Sequence, residues 1–331
     1  MRVGLVGVGR IGVLHAETLA DNQQVSQLRI ADADPARARE VAGKVGATVT
    51  GLRELFSGAV DALVVAAATG AHAELVQRGA EAGLPVFCEK PLAADVAGTR
   101  RVLARVAAAG TSLQVGFQRR FDAGYRAARE AVRSGSLGWL HTLRATTADP
   151  APPPEAYIRT SGGIYRDCHI HDFDIIRFVT GREVETVYAT GANRGDGFFA
   201  RAGDVDTSAV LLTLDDGTLG VVSGGRYNGG GYDARLEVAG SEGTVVAGLD
   251  ERAPLRSAEQ GVSWPPGQPY ASFYERFRRA YVAELGEFLD HVLGRIPNPC
   301  PAEEALEALY VAEAAERSRA EDRPVHVGEV R

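Results

Sequence analysis

Short, mostly apolar runs alternate with amphipathic stretches over the first 120 residues. Between the runs, apolar residues recur every three or four positions, which is typical of helices packed on a sheet. The run 61–67 is continuously apolar after Asp61, as expected of a parallel strand covered on both faces. This alternation predicts a doubly wound α/β domain over residues 1–120. Its main strands are predicted at Val3–Val6, Leu28–Ala31, Asp61–Ala67, Val86–Cys88 and Leu113–Phe117.

The pattern changes after residue 120. Apolar and polar residues now alternate in several runs, as in an antiparallel sheet with unlike faces. Asp215-Asp216-Gly217 separates two of these runs and is typical of a hairpin turn. We therefore predict a second α/β domain over residues 121–331, with a large open, mostly antiparallel sheet. Its strands are predicted at 139–147, 184–191, 206–214, 218–226, 234–239 and 243–246, and its last helices at 273–293 and 302–320.

Composition narrows the class of protein. The net charge of −7 gives no basic footprint for nucleic acid or for an anionic membrane. The three cysteines lack metal-site spacing and suit a reducing compartment. No apolar run reaches the roughly 18 residues of a membrane span, and the first residues do not have a signal-peptide pattern. We expect a cytoplasmic protein that binds neither nucleic acid nor membranes.

A glycine motif stands between the first strand and the first helix: Gly7-Val8-Gly9-Arg10-Ile11-Gly12. Such glycines let main-chain N–H groups approach a pyrophosphate at a helix N-terminus. Asp32 ends the second strand, 20 residues after Gly12, and is predicted to accept hydrogen bonds from the adenosine ribose. Because its carboxylate would repel a 2′-phosphate, the motif favours NAD over NADP, although Arg37 and Arg39 could weaken that preference. The sequence therefore predicts a Rossmann dinucleotide-binding domain.

Further cofactor contacts are predicted where strands end, because ligands of open parallel sheets lie at the carboxyl ends of the strands. His72 either contacts the cofactor or caps the helix 73–82. The predicted cofactor-contacting residues at these ends are Ala68, Thr69, His72, Glu89, Lys90 and Gln118.

Lys90 is singled out by composition and by position. Lys44 and Lys90 are the only lysines among 36 lysine and arginine residues, and lysine, unlike arginine, can lose its proton near neutral pH. Pro91 disfavours a helical conformation at Lys90. An ammonium group at this strand end can hold a substrate hydroxyl and stabilise developing alkoxide charge. A solvated surface lysine is the alternative.

Proton-handling groups are concentrated in the segment 161–174. If the chain is α-helical from Asp167 onward, Asp167, His171 and Asp174 share one face, and two carboxylates then flank an imidazole. This arrangement indicates a general base, with a structural polar network as the alternative. A metal site is also conceivable, but His169 and His171 diverge on a helix, so we predict no metal.

Four motifs together resemble the glucose–fructose oxidoreductase/inositol dehydrogenase (Gfo/Idh/MocA) family, and within it the inositol 2-dehydrogenases. They are the glycine motif, Glu89-Lys90-Pro91, Gly116-Phe117-Gln118-Arg119-Arg120-Phe121-Asp122, and Asp167-x-x-x-His171. The resemblance spans almost the whole chain. It implies a Rossmann domain, a second domain with an open sheet, a Lys-Pro bond that is often cis, and C-terminal helices that return to the first domain. It also implies a homo-oligomer, a tetramer or dimer, joined through that sheet.

The resulting hypothesis is an NAD-dependent oxidoreductase that oxidises a secondary hydroxyl of a cyclic polyol or sugar, with myo-inositol as the first candidate. His171 removes the hydroxyl proton, Lys90 stabilises the same oxygen, and Asp167 holds substrate hydroxyls or the base. By resemblance Arg120 and Asp174 bind substrate. Tyr227 in the glycine-rich stretch 224–232 could line the pocket, with a plain flexible turn as the alternative. The alternatives are an aldose, amino-sugar or anhydro-sugar dehydrogenase, and a non-enzymatic nucleotide sensor on the same fold.

Overall fold

The chain, described over residues 1–331 by a computed structural model, forms two compact units. The first contains Met1–Gln118 and Arg279–Leu306, and the second contains Arg119–Arg278 and Glu307–Arg331. The division falls close to the boundary predicted at residue 120. Residues 279–306 lie in the range predicted for the second domain, whose C-terminal helices are expected by resemblance to return to the first domain. They group with the first unit.

A six-stranded parallel sheet forms the centre of the first unit, in the order β3-β2-β1-β4-β5-β6. The order reverses on either side of β1, as in a doubly wound sheet. The strands are β1 (Arg2–Val6), β2 (Gln27–Ala31), β3 (Thr48–Val49), β4 (Ala62–Val65), β5 (Val86–Glu89) and β6 (Leu113–Gly116).

A seven-stranded mixed sheet forms the centre of the second unit, in the order β12-β11-β7-β10-β9-β8-β13. Only β7 and β10 pair in parallel, so the prediction of a mostly antiparallel sheet is confirmed. The strands are β7 (Leu140–Ala148), β8 (Val184–Ala192), β9 (Thr207–Leu214), β10 (Leu219–Gly225), β11 (Asp233–Gly240), β12 (Thr244–Ala247) and β13 (Val325–His326).

Helices follow the predicted pattern, with two additional short ones, α7 and α9. Local signals explain the boundaries of α2: Asp34 accepts hydrogen bonds from two first-turn N–H groups, Pro35 opens the helix, and Gly46 ends it in the left-handed conformation. The helices are α1 (Arg10–Asp21), α2 (Pro35–Val45), α3 (Leu52–Glu54), α4 (Thr69–Glu81), α5 (Val96–Ala109), α6 (Ala123–Arg133), α7 (Glu155–Ile158), α8 (Ile170–Thr180), α9 (Phe198–Arg201), α10 (Phe273–Val292) and α11 (Ala302–Glu321).

The core of the first unit lies between its sheet and the helices that cover it. Val3, Leu5 and Ile30 from the strands are fully buried. Leu285 and Phe288, in the second half of α10, complete the same cluster. The C-terminal part of the chain therefore supplies apolar surface to the dinucleotide-binding fold.

The second sheet has one buried and one exposed face. Along β9, Ser208, Val210 and Leu212 are buried, and the residues between them point outward. The outward residues include large apolar side chains on adjacent strands, with Leu211 55% and Leu219 56% exposed. None of the helices combines the length and the apolar character needed to cross a membrane.

Candidate active site

The glycine turn after β1 has steric reasons for two of its three glycines. Gly7 has a φ of +92°, and a Cβ there would lie 2.5 Å from the Cα of Ala67. A Cβ at Gly12 would lie 2.0 Å from the carbonyl oxygen of Gly7. Both positions therefore require glycine for close packing within the fold.

The third glycine leaves the outer side of the turn open. A Cβ at Gly9 would meet no atom within 4 Å. Gly9 is also the N-cap of α1 and offers no side-chain hydrogen bond to the first turn, where Arg10 and Ile11 lie. First-turn N–H groups without a side-chain cap are suited to an anion. The residues present thus fit a dinucleotide pyrophosphate.

Asp32 is held at the carboxyl end of β2 by three donors. Its Oδ2 accepts from the Val8 N–H at 2.7 Å, and its Oδ1 accepts from the Asp34 N–H and from Arg37 Nη2, each at 2.8 Å. Burial opposes ionisation, but the hydrogen bonds from Arg37, Val8 and Asp34 outweigh it and lower the pKa of Asp32. The carboxylate is therefore fixed beside the glycine turn, a contact that the sequence did not reveal.

His72 connects two loops at the carboxyl edge of the first sheet. Its Nδ1 lies 2.7 Å from the carbonyl oxygen of Pro91, and its Nε2 lies 2.9 Å from that of Ala67. The residue is 2% exposed and lies inside α4, close to Ala68 and Thr69. Both ring nitrogens are thus engaged by the protein's own main chain.

Glu89 and Lys90 lie at the end of β5, as predicted. The Lys90–Pro91 peptide bond is cis. His15 Nε2 lies 2.7 Å from Glu89 Oε1, and the two side chains are 0% and 8% exposed. His15, which has no sequence signal linking it to the motif, therefore fixes the residue before Lys90. Gln118 is buried at the end of the first unit.

The prediction of a regular α-helix from Asp167 onward is wrong for its first turn. Tyr165–His169 form a π-helical turn, and the α-helix α8 begins at Ile170. Asp167 thus lies in the π-helical turn, whereas half-buried His171 and buried Asp174 lie in α8. Such turns occur frequently at functional sites. Sequence periodicity cannot distinguish one wide turn from an α-helical one.

Asp167 accepts hydrogen bonds from distant parts of the second unit. Tyr157 Oη donates to Oδ1 at 2.8 Å, and Arg226 Nη2 donates to Oδ2 at 2.8 Å. Arg226 also donates to Asp149 Oδ2 at 2.9 Å, and its side chain is 3% exposed. Burial and the charge of Asp167 raise the pKa of Tyr157. These contacts hold the Asp167 carboxylate in an orientation suited to accept hydrogen bonds from hydroxyl groups.

The two successive arginines of the predicted motif pair with two aspartates of α8. Arg120 donates to both oxygens of Asp174, with a shortest distance of 2.6 Å, and Arg119 Nη1 donates to Asp172 Oδ1 at 2.6 Å. All four residues are at most 4% exposed. Arg120 and Asp174, both predicted to bind substrate, are thus brought together as an ion pair that anchors α8.

Tyr227 is engaged by a different carboxylate. It is 42% exposed, and its hydroxyl donates to Asp196 Oδ2 at 2.7 Å and accepts from the Asp196 N–H at 3.0 Å. The neighbouring Arg226, which sequence analysis did not select, is the residue of the glycine-rich stretch that donates to Asp167. The tyrosine of this stretch thus bonds to Asp196, and its buried arginine makes the contact with Asp167.

No group of three or more His, Cys, Asp or Glu side chains is arranged to hold a metal ion. His169 and His171, which suggested a metal site, belong to different turns, and His169 bonds to Asp172 and Ser208.

Both units match domains of a known protein family. Residues 1–117 match the oxidoreductase family with an NAD-binding Rossmann fold, GFO/IDH/MocA, and residues 125–246 match the GFO/IDH/MocA C-terminal domain. A myo-inositol 2-dehydrogenase from Thermotoga maritima is 41% identical over 335 aligned positions, which cover 100% of this chain and 99% of that protein.

Solved structures agree with the sequence comparison. A probable dehydrogenase from Thermotoga maritima superimposes with a TM-score of 0.93 at 39% identity over 100% of both chains. A scyllo-inositol dehydrogenase from Lactobacillus casei, solved with NAD(H) and scyllo-inositol, has a TM-score of 0.87 at 28% identity and covers 99% of both chains.

Proposed function

The chain belongs to the GFO/IDH/MocA family of NAD-binding oxidoreductases, and from this premise we propose that it oxidises a secondary hydroxyl of an inositol with NAD. The observation that carries the choice of substrate is the 41% identity, over the whole chain, to a myo-inositol 2-dehydrogenase. The carboxylate of Asp167 supports a substrate rich in hydroxyl groups, because hydrogen bonds from Tyr157 and Arg226 hold its oxygens in one orientation.

The cofactor is assigned to the first unit. NAD, when bound, supplies the hydride acceptor. The open side of Gly9 and the uncapped first turn of α1 suit its pyrophosphate, and the fixed carboxylate of Asp32 suits a ribose with two free hydroxyls. Arg37 is paired with Asp32, which supports a preference for NAD over NADP.

We assign proton removal to His171 and charge stabilisation to Lys90. An imidazole at the start of α8 can take the hydroxyl proton near neutral pH, since histidine changes charge in that range. The ammonium of Lys90, at the end of β5, can donate to the same oxygen as negative charge develops. Asp167 accepts hydrogen bonds from neighbouring hydroxyls, and this fixes which carbon is presented.

The first experiment measures NADH formation with myo-, scyllo- and D-chiro-inositol, glucose, xylose and galactose, with NAD and NADP in parallel. Turnover of an inositol with NAD is the expected result. NAD binding without turnover of any member would contradict the substrate assignment, and would favour a modified sugar or a nucleotide sensor.

The second experiment tests the two proposed catalytic residues. We expect Lys90→Ala and His171→Ala each to lower kcat by about 10²–10⁴-fold, the usual contribution of a positioned acid–base group. Lys44→Ala and His141→Ala are matched controls, because both residues lie on exposed surface. A fall of less than about tenfold in both active-site variants would exclude this assignment.

We also propose that the protein assembles as a dimer or tetramer in the cytoplasm. The outer face of the second sheet supports assembly, because Leu211 and Val221 are paired across β9 and β10 and are 55% and 39% exposed. None of the three cysteines forms a disulfide, which suits a reducing compartment.

A further inference from the structure

A chain of buried hydrogen bonds lies beneath the start of α8. Asp172 Oδ2 lies 2.8 Å from His169 Nδ1, and His169 Nε2 lies 2.6 Å from Ser208 Oγ. Asp172 and His169 are 0% exposed, and Ser208 is 4% exposed. None of the three residues has a role in the proposed proton transfer.

The order carboxylate, imidazole, hydroxyl is that of the Ser-His-Asp hydrolases. Here the hydroxyl belongs to β9 and is covered, so a substrate has no access to it. A buried set of this kind orients groups instead of attacking a substrate. Its function is therefore to hold neighbouring residues in place.

The hydrogen bond between Asp172 and His169 has a defined direction. Asp172 Oδ1 accepts from Arg119 Nη1 at 2.6 Å and from Thr147 Oγ1 at 2.7 Å. Burial opposes the charge of Asp172, but Arg119 and the hydrogen bond from His169 lower its pKa, so it is a carboxylate. His169 Nδ1 must then donate to it. In the neutral ring Nε2 accepts, and the Ser208 hydroxyl donates.

A glycine of the neighbouring strand makes room for the imidazole. A Cβ at Gly224 would lie 2.4 Å from His169 Cε1 and 2.6 Å from its Nε2. Gly224 lies in β10, beside Ser208 of β9. The ring is thus held by hydrogen bonds at both nitrogens and by close contact with the sheet.

The network spans the junction at which the helix changes type. His169 is the last residue of the π-helical turn, and Asp172 lies in the first turn of α8. Between them is His171, the proposed base. Thr147 on β7 and Ser208 on β9 tie this junction to the sheet. The direction of the His171 side chain depends on the geometry of that junction.

We propose that Asp172, His169 and Ser208 are positioning residues that hold the π-to-α junction so that His171 reaches the substrate hydroxyl. This proposal rests on the proposed function, in which His171 is the base. It predicts that weakening the network lowers the rate of the chemical step and leaves substrate affinity nearly unchanged.

The decisive variants are Ser208→Ala, which removes one oxygen atom, His169→Ala, and His169→Asn, which keeps an amide donor towards Asp172. We expect Ser208→Ala and His169→Ala to lower kcat by about 10–100-fold, the effect typical of losing a partner that orients the ligating histidine of a metal enzyme. KM for inositol should stay within about threefold. His169→Asn should recover part of the loss. Ser223→Ala, on the exposed face of the same sheet, and His141→Asn, at an exposed position near the start of β7, are matched controls.

The kinetic isotope effect separates a positioning role from a purely structural one. A smaller folded fraction lowers kcat but leaves the kinetic isotope effect unchanged. With inositol deuterated at the oxidised carbon, positioning variants should show a larger isotope effect on kcat, because chemistry becomes slower relative to product release. An unchanged kcat in folded Ser208→Ala, or a fall matched by lost folded protein with an unchanged isotope effect, would overturn the proposal.

Nuclear magnetic resonance of the protein without ligands makes the test independent of activity. The chain has seven histidines, and the His171 ring signals can be assigned by their loss in His171→Asn. Ser208→Ala should shift or broaden these signals, and signals that stay in place would contradict the proposal. Full activity of His171→Ala would instead show that His171 is not the base, and would contradict the proposed function. If the His169 variants do not fold, Ser208→Ala decides the question.

Discussion

The contacts of Asp32 lead to a test of cofactor choice. Replacing Asp32 with Ser removes the carboxylate that accepts hydrogen bonds from Arg37 and the Val8 N–H. Arg37, whose side chain is 47% exposed, then loses its partner and can bind a phosphate. We therefore expect Asp32→Ser to weaken the use of NAD and to improve the use of NADP.

The magnitude follows from Coulomb's law. A 2′-phosphate bound by Arg37 would lie about 5 Å from the Asp32 carboxylate. At an effective dielectric constant of about 40, that carboxylate repels a doubly charged phosphate by roughly 3 kcal/mol. Since each 1.36 kcal/mol corresponds to tenfold, the ratio of kcat/KM for NAD to that for NADP should fall by about 10²-fold. Steady-state kinetics with both cofactors at saturating inositol measures this ratio.

The matched control for this test is Asp34→Asn. It removes one negative charge two residues away and keeps a side-chain oxygen that can accept from the first turn of α2. We expect its cofactor ratio to change little. A ratio that is unchanged in Asp32→Ser, or that falls equally in Asp34→Asn, would refute the reasoning. In Asp32→Ser with Arg37→Ala the gain with NADP should disappear.

Three further predictions concern the second unit. Tyr157→Phe removes a hydroxyl that donates to Asp167, and since a hydrogen bond to a charged group contributes roughly 1.5–3 kcal/mol, kcat/KM for inositol should fall about 10–100-fold. Leu211→Glu puts a charge on the outer face of the sheet and should reduce the assembly size measured by light scattering. Asp172→Asn leaves buried Arg119 without its carboxylate and should lower the free energy of unfolding at neutral pH by about 3–5 kcal/mol. Because the pKa of Asp172 is lowered by folding, this stabilisation exists above the ordinary carboxyl pKa and is lost as the pH falls, so the difference from the wild type should narrow below about pH 4.

Each of these predictions has its own control. Tyr188→Phe removes an exposed tyrosine hydroxyl bonded to Asp322 and should leave kinetics unchanged. Leu52→Glu places the same charge on the first unit and should leave the assembly intact. Urea titrations at several pH values measure the Asp172 effect. A difference that stays constant down to about pH 2 would show that its charge does not stabilise the fold.

Local patterns account for most of the fold. The apolar runs and the alternation along β9 are properties of neighbouring residues, so the sequence alone identifies most strands of both sheets. The two-residue strand β13 is not predicted, because it is too short to show a pattern. The glycine turn can also be predicted from the sequence, because the close packing at Gly7 and Gly12 requires glycine at a fixed spacing. The short helices α7 and α9 have too few turns to produce a periodic signal.

The site is less predictable, because its contacts join distant residues. Arg226 lies 59 positions from Asp167, and His15 lies 74 positions from Glu89. A single sequence holds no record of such pairings. The π-helical turn escapes prediction for a different reason: one wide turn shifts the register, and the flanking apolar residues are equally compatible with an α-helix.

The surroundings of Lys90 have a consequence for the temperature dependence of the reaction. His15 holds Glu89 on one side of Lys90, and His72 holds the Pro91 carbonyl on the other. Ordering a residue's main chain costs about 1–2 kcal/mol in entropy, and here that cost is met when the protein folds. Bringing the ammonium to the reacting oxygen then restricts only side-chain torsions. Loss of either imidazole should therefore make the activation entropy of turnover more negative, while the activation enthalpy changes little.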